Sequence, residues 1–184
     1  MIEMVSLVIL AALLSGVPDK LGIGVVAPDF VITPVKGTPF RFTEATSKHA
    51  AVVVVFFSVV CPYSNSSDVH LRELNAEYGS HGVLFVGMDS NRTESLEEVV
   101  AHAHKSQQTF LLMKDAGNKV ADLLDARVTP EAFVFDPEGR LRYRGRVRSK
   151  IGETDLKDAL DAILAGRPVK TPVAKAFGCA IVRE

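Results

Sequence analysis

Two kinds of apolar pattern alternate along this chain, and together they predict a mixed α/β domain. Residues 50–57 read AAVVVVFF, a continuous β-branched and aromatic run. A strand with one wet face alternates apolar and polar positions. An unbroken run therefore predicts a central strand covered on both faces, with helices above and below the sheet. Residues 82–88 (GVLFVGM) predict a second buried strand. Apolar residues recur at helical spacing in two other segments, Leu71, Leu74 and Tyr78 in one and Leu96, Val99, Val100 and Ala103 in the next. Asn91-Arg92-Thr93-Glu94 has capping-box spacing and marks the start of that second helix.

Further on, residues 109–113 predict a short strand and 119–124 a short helix. Residues 131–135 and 141–143 flank Asp136-Pro137-Glu138-Gly139, a turn composition that joins antiparallel strands. A last helix from Thr154 sets Leu156, Leu160, Ile163 and Leu164 on one face and stops at Gly166. Near the start, residues 30–33 and 39–42 flank Lys36-Gly37-Thr38 as a short hairpin. Alternation early and a hairpin late describe a mixed central sheet with helices on both faces.

At 184 residues the chain suits one domain, placed at 27–166. Residues 167–184 (RPVKTPVAKAFGCAIVRE) carry two prolines but are too apolar for simple disorder, so a tail packing on the domain is expected. Residues 4–14 (MVSLVILAALL) suit the core of a secretory signal and are too short to span a bilayer, so residues 1–16 are expected to be a signal peptide and the protein exported or periplasmic. Glu3, the lack of Lys or Arg before the run and a poor cleavage pattern oppose this. The alternative is a docked N-terminal helix or strand in a cytoplasmic protein. A net charge of −1 and the absence of Trp give no case for nucleic acid or an anionic membrane surface, and no stable membrane insertion is expected.

Function must then come from a site. Two cysteines, Cys61 and Cys179, are too few for a disulfide scaffold or an all-thiolate zinc site. Cys61 stands between the buried strand and a helix that opens with Pro62, a residue favoured at the first helical position. There a side chain meets unpaired backbone N–H groups and the positive end of the helix dipole, which favour a reactive thiolate. The bland alternative is a buried cysteine acting as a small hydrophobe. Val128-Thr129-Pro130 precedes a strand, a position where a cis proline can turn free backbone groups toward a neighbouring site.

Residues 27–166 resemble the peroxiredoxin-like branch of the thioredoxin superfamily, the alkyl hydroperoxide reductase and thiol-specific antioxidant relatives. The resemblance rests on APDF at 27–30, the strand ending at Phe57, Cys61-Pro62-Tyr63, Thr129-Pro130-Glu131-Ala132-Phe133, DPEGR at 136–140, Tyr143-Arg144-Gly145-Arg146 and the final helix. Phe177-Gly178-Cys179-Ala180-Ile181 is similar to the Gly-Cys-x-Ile ending of one bacterial subgroup. The resemblance implies a three-layer thioredoxin-like fold, a redox cysteine at Cys61, a cis peptide before Pro130 beside it, and a meaningful position for Cys179. Tyr63, Thr129 and Pro130, with Pro62, are the implied substrate or partner surface.

The departures matter as well. Disulfide exchangers carry Cys-x-x-Cys, and here the last position is Ser64, which could donate a hydrogen bond to the Cys61 thiolate. Ser58 fills the hydroxyl position three residues before the cysteine, but Val54 stands where peroxiredoxins have proline. Val59 and Val60 replace polar neighbours, and as apolar groups they are expected to desolvate Cys61 and raise its pKa. The subgroup's acidic residues after Tyr-Arg-Gly are Arg146 and Arg148 here.

Other signals read as structural. His102 and His104 are two apart, on different sides of a helix, and are expected to be solvated. Gly22-Ile23-Gly24 reads as a flexible link, and the alternating Arg140, Arg142, Arg144, Arg146, Arg148 and Lys150 as one solvated strand face, one of whose arginines could polarise a peroxide. Neither a metal nor a cofactor is needed. The expected function is a thiol-dependent oxidoreductase in which Cys61 attacks a protein disulfide or a small peroxide and Cys179 or an external thiol reductant resolves the product. The alternatives are a non-catalytic thioredoxin-fold binding module, or Cys61–Cys179 as a structural disulfide.

Overall fold

The computed structural model describes residues 21–148 and 154–184. The apolar run at 4–14 and Lys150 lie outside the described residues. The elements are, in order, β1 (Val31–Ile32), β2 (Phe40–Arg41), α1 (Phe42–Lys48), β3 (Ala51–Phe57), α2 (Pro62–Asn65), α3 (Asp68–Gly79), β4 (Val83–Asp89), α4 (Leu96–Lys105), β5 (Leu111–Lys114), α5 (Lys119–Leu124), β6 (Val128–Thr129), β7 (Glu131–Phe135), β8 (Leu141–Gly145), α6 (Asp155–Leu164) and β9 (Cys179–Ala180). The central sheet has five strands in the order β5-β4-β3-β7-β8. β3, β4 and β5 run parallel, whereas β7 and β8 join antiparallel on the other side.

The apolar run behaves as its composition demands, with every residue of β3 buried. Val53 and Val55 face α3 and α6, packing with Leu71, Leu74, Leu156 and Leu160. Val52, Val54 and Phe56 face α1 and α5, packing with Phe42, Val120 and Leu124. Burying each such side chain contributes about 1.5–3 kcal/mol, so β3 fixes the sheet that its C-terminal end presents at the site.

Several local expectations fail for identifiable reasons. Phe42 opens helix α1 instead of extending the hairpin, because Phe42, Ala45 and Thr46 share one buried helical face. The helix after Cys61 breaks: α2 has four residues, and α3 restarts beyond Ser66 and Ser67. The capping box of α4 is Ser95 with Glu98, whose groups exchange bonds of 3.2 and 2.7 Å, and not Asn91 with Glu94. Gly22 to Gly24 is no free link, since Gly24 N–H donates to Leu141 O at 2.7 Å and Leu141 N–H to Val25 O at 2.9 Å. The arginines of β8 are ion-paired and partly buried, Arg142 with Asp136 at 3.2 Å and Arg144 with Glu131 at 3.1 Å. Arg146 is similarly bound to Asp155.

The tail runs back over the domain. Arg144 N–H donates to Pro172 O at 2.9 Å, and Ala174 N–H to Arg144 O at 3.0 Å. Only a glycine permits this approach: Gly145 has φ +149°, and a Cβ there would lie 2.0 Å from Ala174 O. Further on, β9 pairs antiparallel with β6, setting Cys179 opposite Thr129. Val182 then exchanges hydrogen bonds of 2.9 Å with Arg92 and Asn91, in the loop after β4. Among the described residues, no helix is long and apolar enough to cross a membrane.

Candidate active site

Cys61 caps α2 at the C-terminal end of β3, with Pro62 as the first helical residue. It is only 1% exposed. Its thiol donates to Thr129 O at 3.2 Å, beneath the cis Thr129–Pro130 peptide. Its own N–H donates to Ser58 Oγ at 3.1 Å. Both thiols are free, and β9 sets Cys179 opposite Thr129, the residue whose carbonyl accepts the Cys61 thiol. The loop before β7, the helix start and the tail thus meet on one sulfur.

The two sulfurs are electrically unequal. Burial pushes the Cys61 thiol up, but hydrogen bonds from the Cys179 side chain, the Ser64 and Cys179 backbones and Thr129 together carry it below the ordinary thiol value. The Ser64 N–H faces the sulfur without closing a regular capping bond. Cys179 moves the other way, to about 11, first because it hydrogen-bonds to Cys61 and then through burial and the nearby charges of Cys61 and Glu94. Of the two sulfurs, Cys61 is therefore the easier to ionise.

The remaining expected residues take specific places. Ser64 is buried, and its hydroxyl accepts the Ser58 N–H at 3.2 Å, so its side chain braces the turn. Ser58 donates its hydroxyl proton to Glu94 Oε1 at 2.5 Å. Val60 is 71% exposed, so it does not desolvate the cysteine as the sequence suggested. Tyr63 is exposed and meets Phe177 edge-on, with ring centroids 6.3 Å apart. These two rings, Pro130, Ser66, Val147 and Arg148 line a groove beside the cysteine pair.

Two buried acids escaped the sequence reading. Glu94 is 3% exposed and Asp89 wholly buried. Glu94 Oε2 also accepts the Val59 N–H at 2.7 Å. Asp89 is pushed up to about 8 by burial and by Glu94, against the pull of Lys114. A carboxylate surrounded by polar residues looks solvated in sequence, so only the β4 end packed against the Cys61 turn discloses this pair. His102 also departs from expectation. It packs against the Phe57 ring, 6.0 Å between centroids, and its Nε2 lies 3.1 Å from Asp68. Among the described residues, no cluster of three or more His, Cys, Asp or Glu is arranged to hold a metal ion.

A cysteine at a strand-to-helix turn, faced by a cis proline and carried by a mixed sheet between helical layers, defines the thioredoxin-like fold. The family model described as Redoxin matches residues 23–163, and the chain belongs to the Redoxin family. It is similar to an uncharacterized conserved protein from Geobacillus kaustophilus, at 31% identity and TM-score 0.81 over 90% of this chain and 94% of that one. It is similar in fold to a putative thiol:disulfide interchange protein DsbE from Chlorobium tepidum, at 18% identity and TM-score 0.71 over 79% of this chain and 99% of that one. Among curated proteins it is similar to the thiol-disulfide oxidoreductase ResA of Bacillus cereus, 25% identical over 79% of each chain.

Proposed function

We propose that the protein is a thiol–disulfide oxidoreductase in which Cys61 attacks and Cys179 resolves. The observation that carries this reading is that both cysteines converge on Thr129: its carbonyl accepts the Cys61 thiol at 3.2 Å and β9 sets Cys179 opposite it, with Cys61 the easier sulfur to ionise. The Cys61 thiolate attacks one sulfur of a substrate disulfide, forming a mixed disulfide and expelling the other sulfur as a thiolate. Cys179 then gives up its proton and attacks Cys61, closing a Cys61–Cys179 disulfide and releasing the reduced substrate. An external dithiol restores both cysteines. Cys179 thus does from the tail what a second cysteine at position 64 would do within the turn. Tyr63, Phe177 and Pro130 line the groove on which a protein substrate lies. Thr129, expected to share that surface, is wholly buried beneath β9 and offers only its carbonyl to Cys61. Export of the chain is the matching compartment.

Peroxide reduction is the weaker reading. The Ser58 hydroxyl proton is committed to Glu94, and Arg142, Arg144 and Arg146 are committed to carboxylates. The test is alkylation of each cysteine across pH in wild type and Cys179→Ser, with oxidised glutathione added in a parallel series. Cys61 is expected to titrate below the free value of about 8.5, wild type to form the internal disulfide, and the variant to accumulate the mixed disulfide. An unreactive Cys61 supports a binding module instead. Native protein without free thiols supports a structural disulfide.

A further inference from the structure

We propose that Glu94 is a positioning residue whose carboxylate clamps the turn carrying Cys61 and so makes Cys61, and not Cys179, the reactive sulfur. The inference rests on Cys61 being the attacking sulfur. Both oxygens of this buried carboxylate are engaged by that turn, Oε1 by the Ser58 hydroxyl at 2.5 Å and Oε2 by the Val59 N–H at 2.7 Å. Because the Ser58 proton points to Glu94, a lone pair of the same oxygen is free for the Cys61 N–H at 3.1 Å. Two short links therefore join Glu94 to the backbone of the nucleophile.

A charge buried to this extent costs several kcal/mol unless its partners compensate. Here the partners are charge-assisted hydrogen bonds from the active-site turn itself. The ionisable groups around Glu94 come from four elements: Asp89 at the end of β4, Lys114 at the end of β5, Cys61 and Cys179. Asp89 Oδ2 has no donor of its own, and burial and the neighbouring Glu94 push the Asp89 carboxyl up to about 8. Lys114 binds the other Asp89 oxygen. From this position the Glu94 charge adds to the Cys61 contact and to burial in opposing ionisation of Cys179.

The test is mass-spectrometric mapping of iodoacetamide labelling at Cys61 and Cys179 against pH, with melting temperature measured separately. In Glu94→Gln the ratio of Cys61 to Cys179 labelling near neutral pH is expected to fall at least tenfold. A folded Glu94→Gln protein with the wild-type ratio and pH midpoints overturns the proposal. If Glu94→Gln does not fold, Glu94→Asp decides. That carboxylate keeps the charge but is too short to span both donors, so Cys61 labelling should slow several-fold while Cys179 stays silent. Wild-type labelling rates in Glu94→Asp would overturn the clamp. An unreactive Cys61 in wild type defeats the functional reading itself, whereas a reactive Cys61 indifferent to Glu94 defeats only this inference.

Discussion

Replacing Gly178 by alanine should uncouple the second sulfur from the first without touching either. A Cβ on Gly178 would lie 1.9 Å from Thr129 O, the carbonyl that accepts the Cys61 thiol. Carbon–oxygen contacts settle near 3.3–3.6 Å, so the tail or the proline loop must retreat by about 1.5 Å. A retreat of that size breaks the β6–β9 pairing, including Ile181 N–H to Arg127 O at 3.0 Å and Thr129 Oγ1 to Cys179 O at 3.4 Å. At about 1 kcal/mol net for each hydrogen bond, docking weakens by about 2 kcal/mol, before any loss from the buried Ile181. That corresponds to about a 30-fold fall in the docked population. The assay is the rate of Cys61–Cys179 disulfide formation under oxidised glutathione, with hydrogen exchange at 179–181 as the structural readout. Gly79→Ala is the control, since a Cβ at the end of α3 meets nothing within 4 Å. Disulfide formation at the wild-type rate in Gly178→Ala, with unchanged exchange, would refute the reasoning.

Two further outcomes follow from the interior. Asp89 keeps its proton in the folded chain up to about pH 8, against an ordinary value of 3.8. Folding therefore takes up a proton between those limits, and stability falls as pH rises through them. Asp89→Asn should flatten that decline when denaturant midpoints are compared at about pH 5, 6.5 and 8, and parallel declines in both proteins would count against it. Phe56→Ala empties a site beside the edge-on Phe133 ring, 5.6 Å away, and should cost about 3–5 kcal/mol in chemical denaturation.

What the sequence made legible, and what it hid, divides along a physical line. Residues 50–57 disclosed the central strand because burial on both faces leaves no polar position, and Cys61-Pro62 disclosed the helix start because proline fits there. Local composition suffices for such features. Capping was harder, because two overlapping frames, Asn91 to Glu94 and Ser95 to Glu98, have the same spacing. The choice falls to packing: Glu94 is drawn inward by Ser58 and Val59, which leaves Ser95 to cap the helix. His102 was misread for a similar reason, since its partner Asp68 lies on another helix and no spacing rule relates the two. The pairing of β9 with β6 was equally hidden, as two-residue strands carry no periodicity.

That pairing has a practical corollary. The second thiol reaches the first on a strand added to a loop edge, held by main-chain bonds and by contacts that admit no side chain at Gly145 and Gly178. Strand addition of this sort does not require a continuous chain. A free synthetic peptide spanning 172–184 should therefore complement a protein shortened before that segment, and its own cysteine, altered at will, would let the half-reactions be studied as a bimolecular pair.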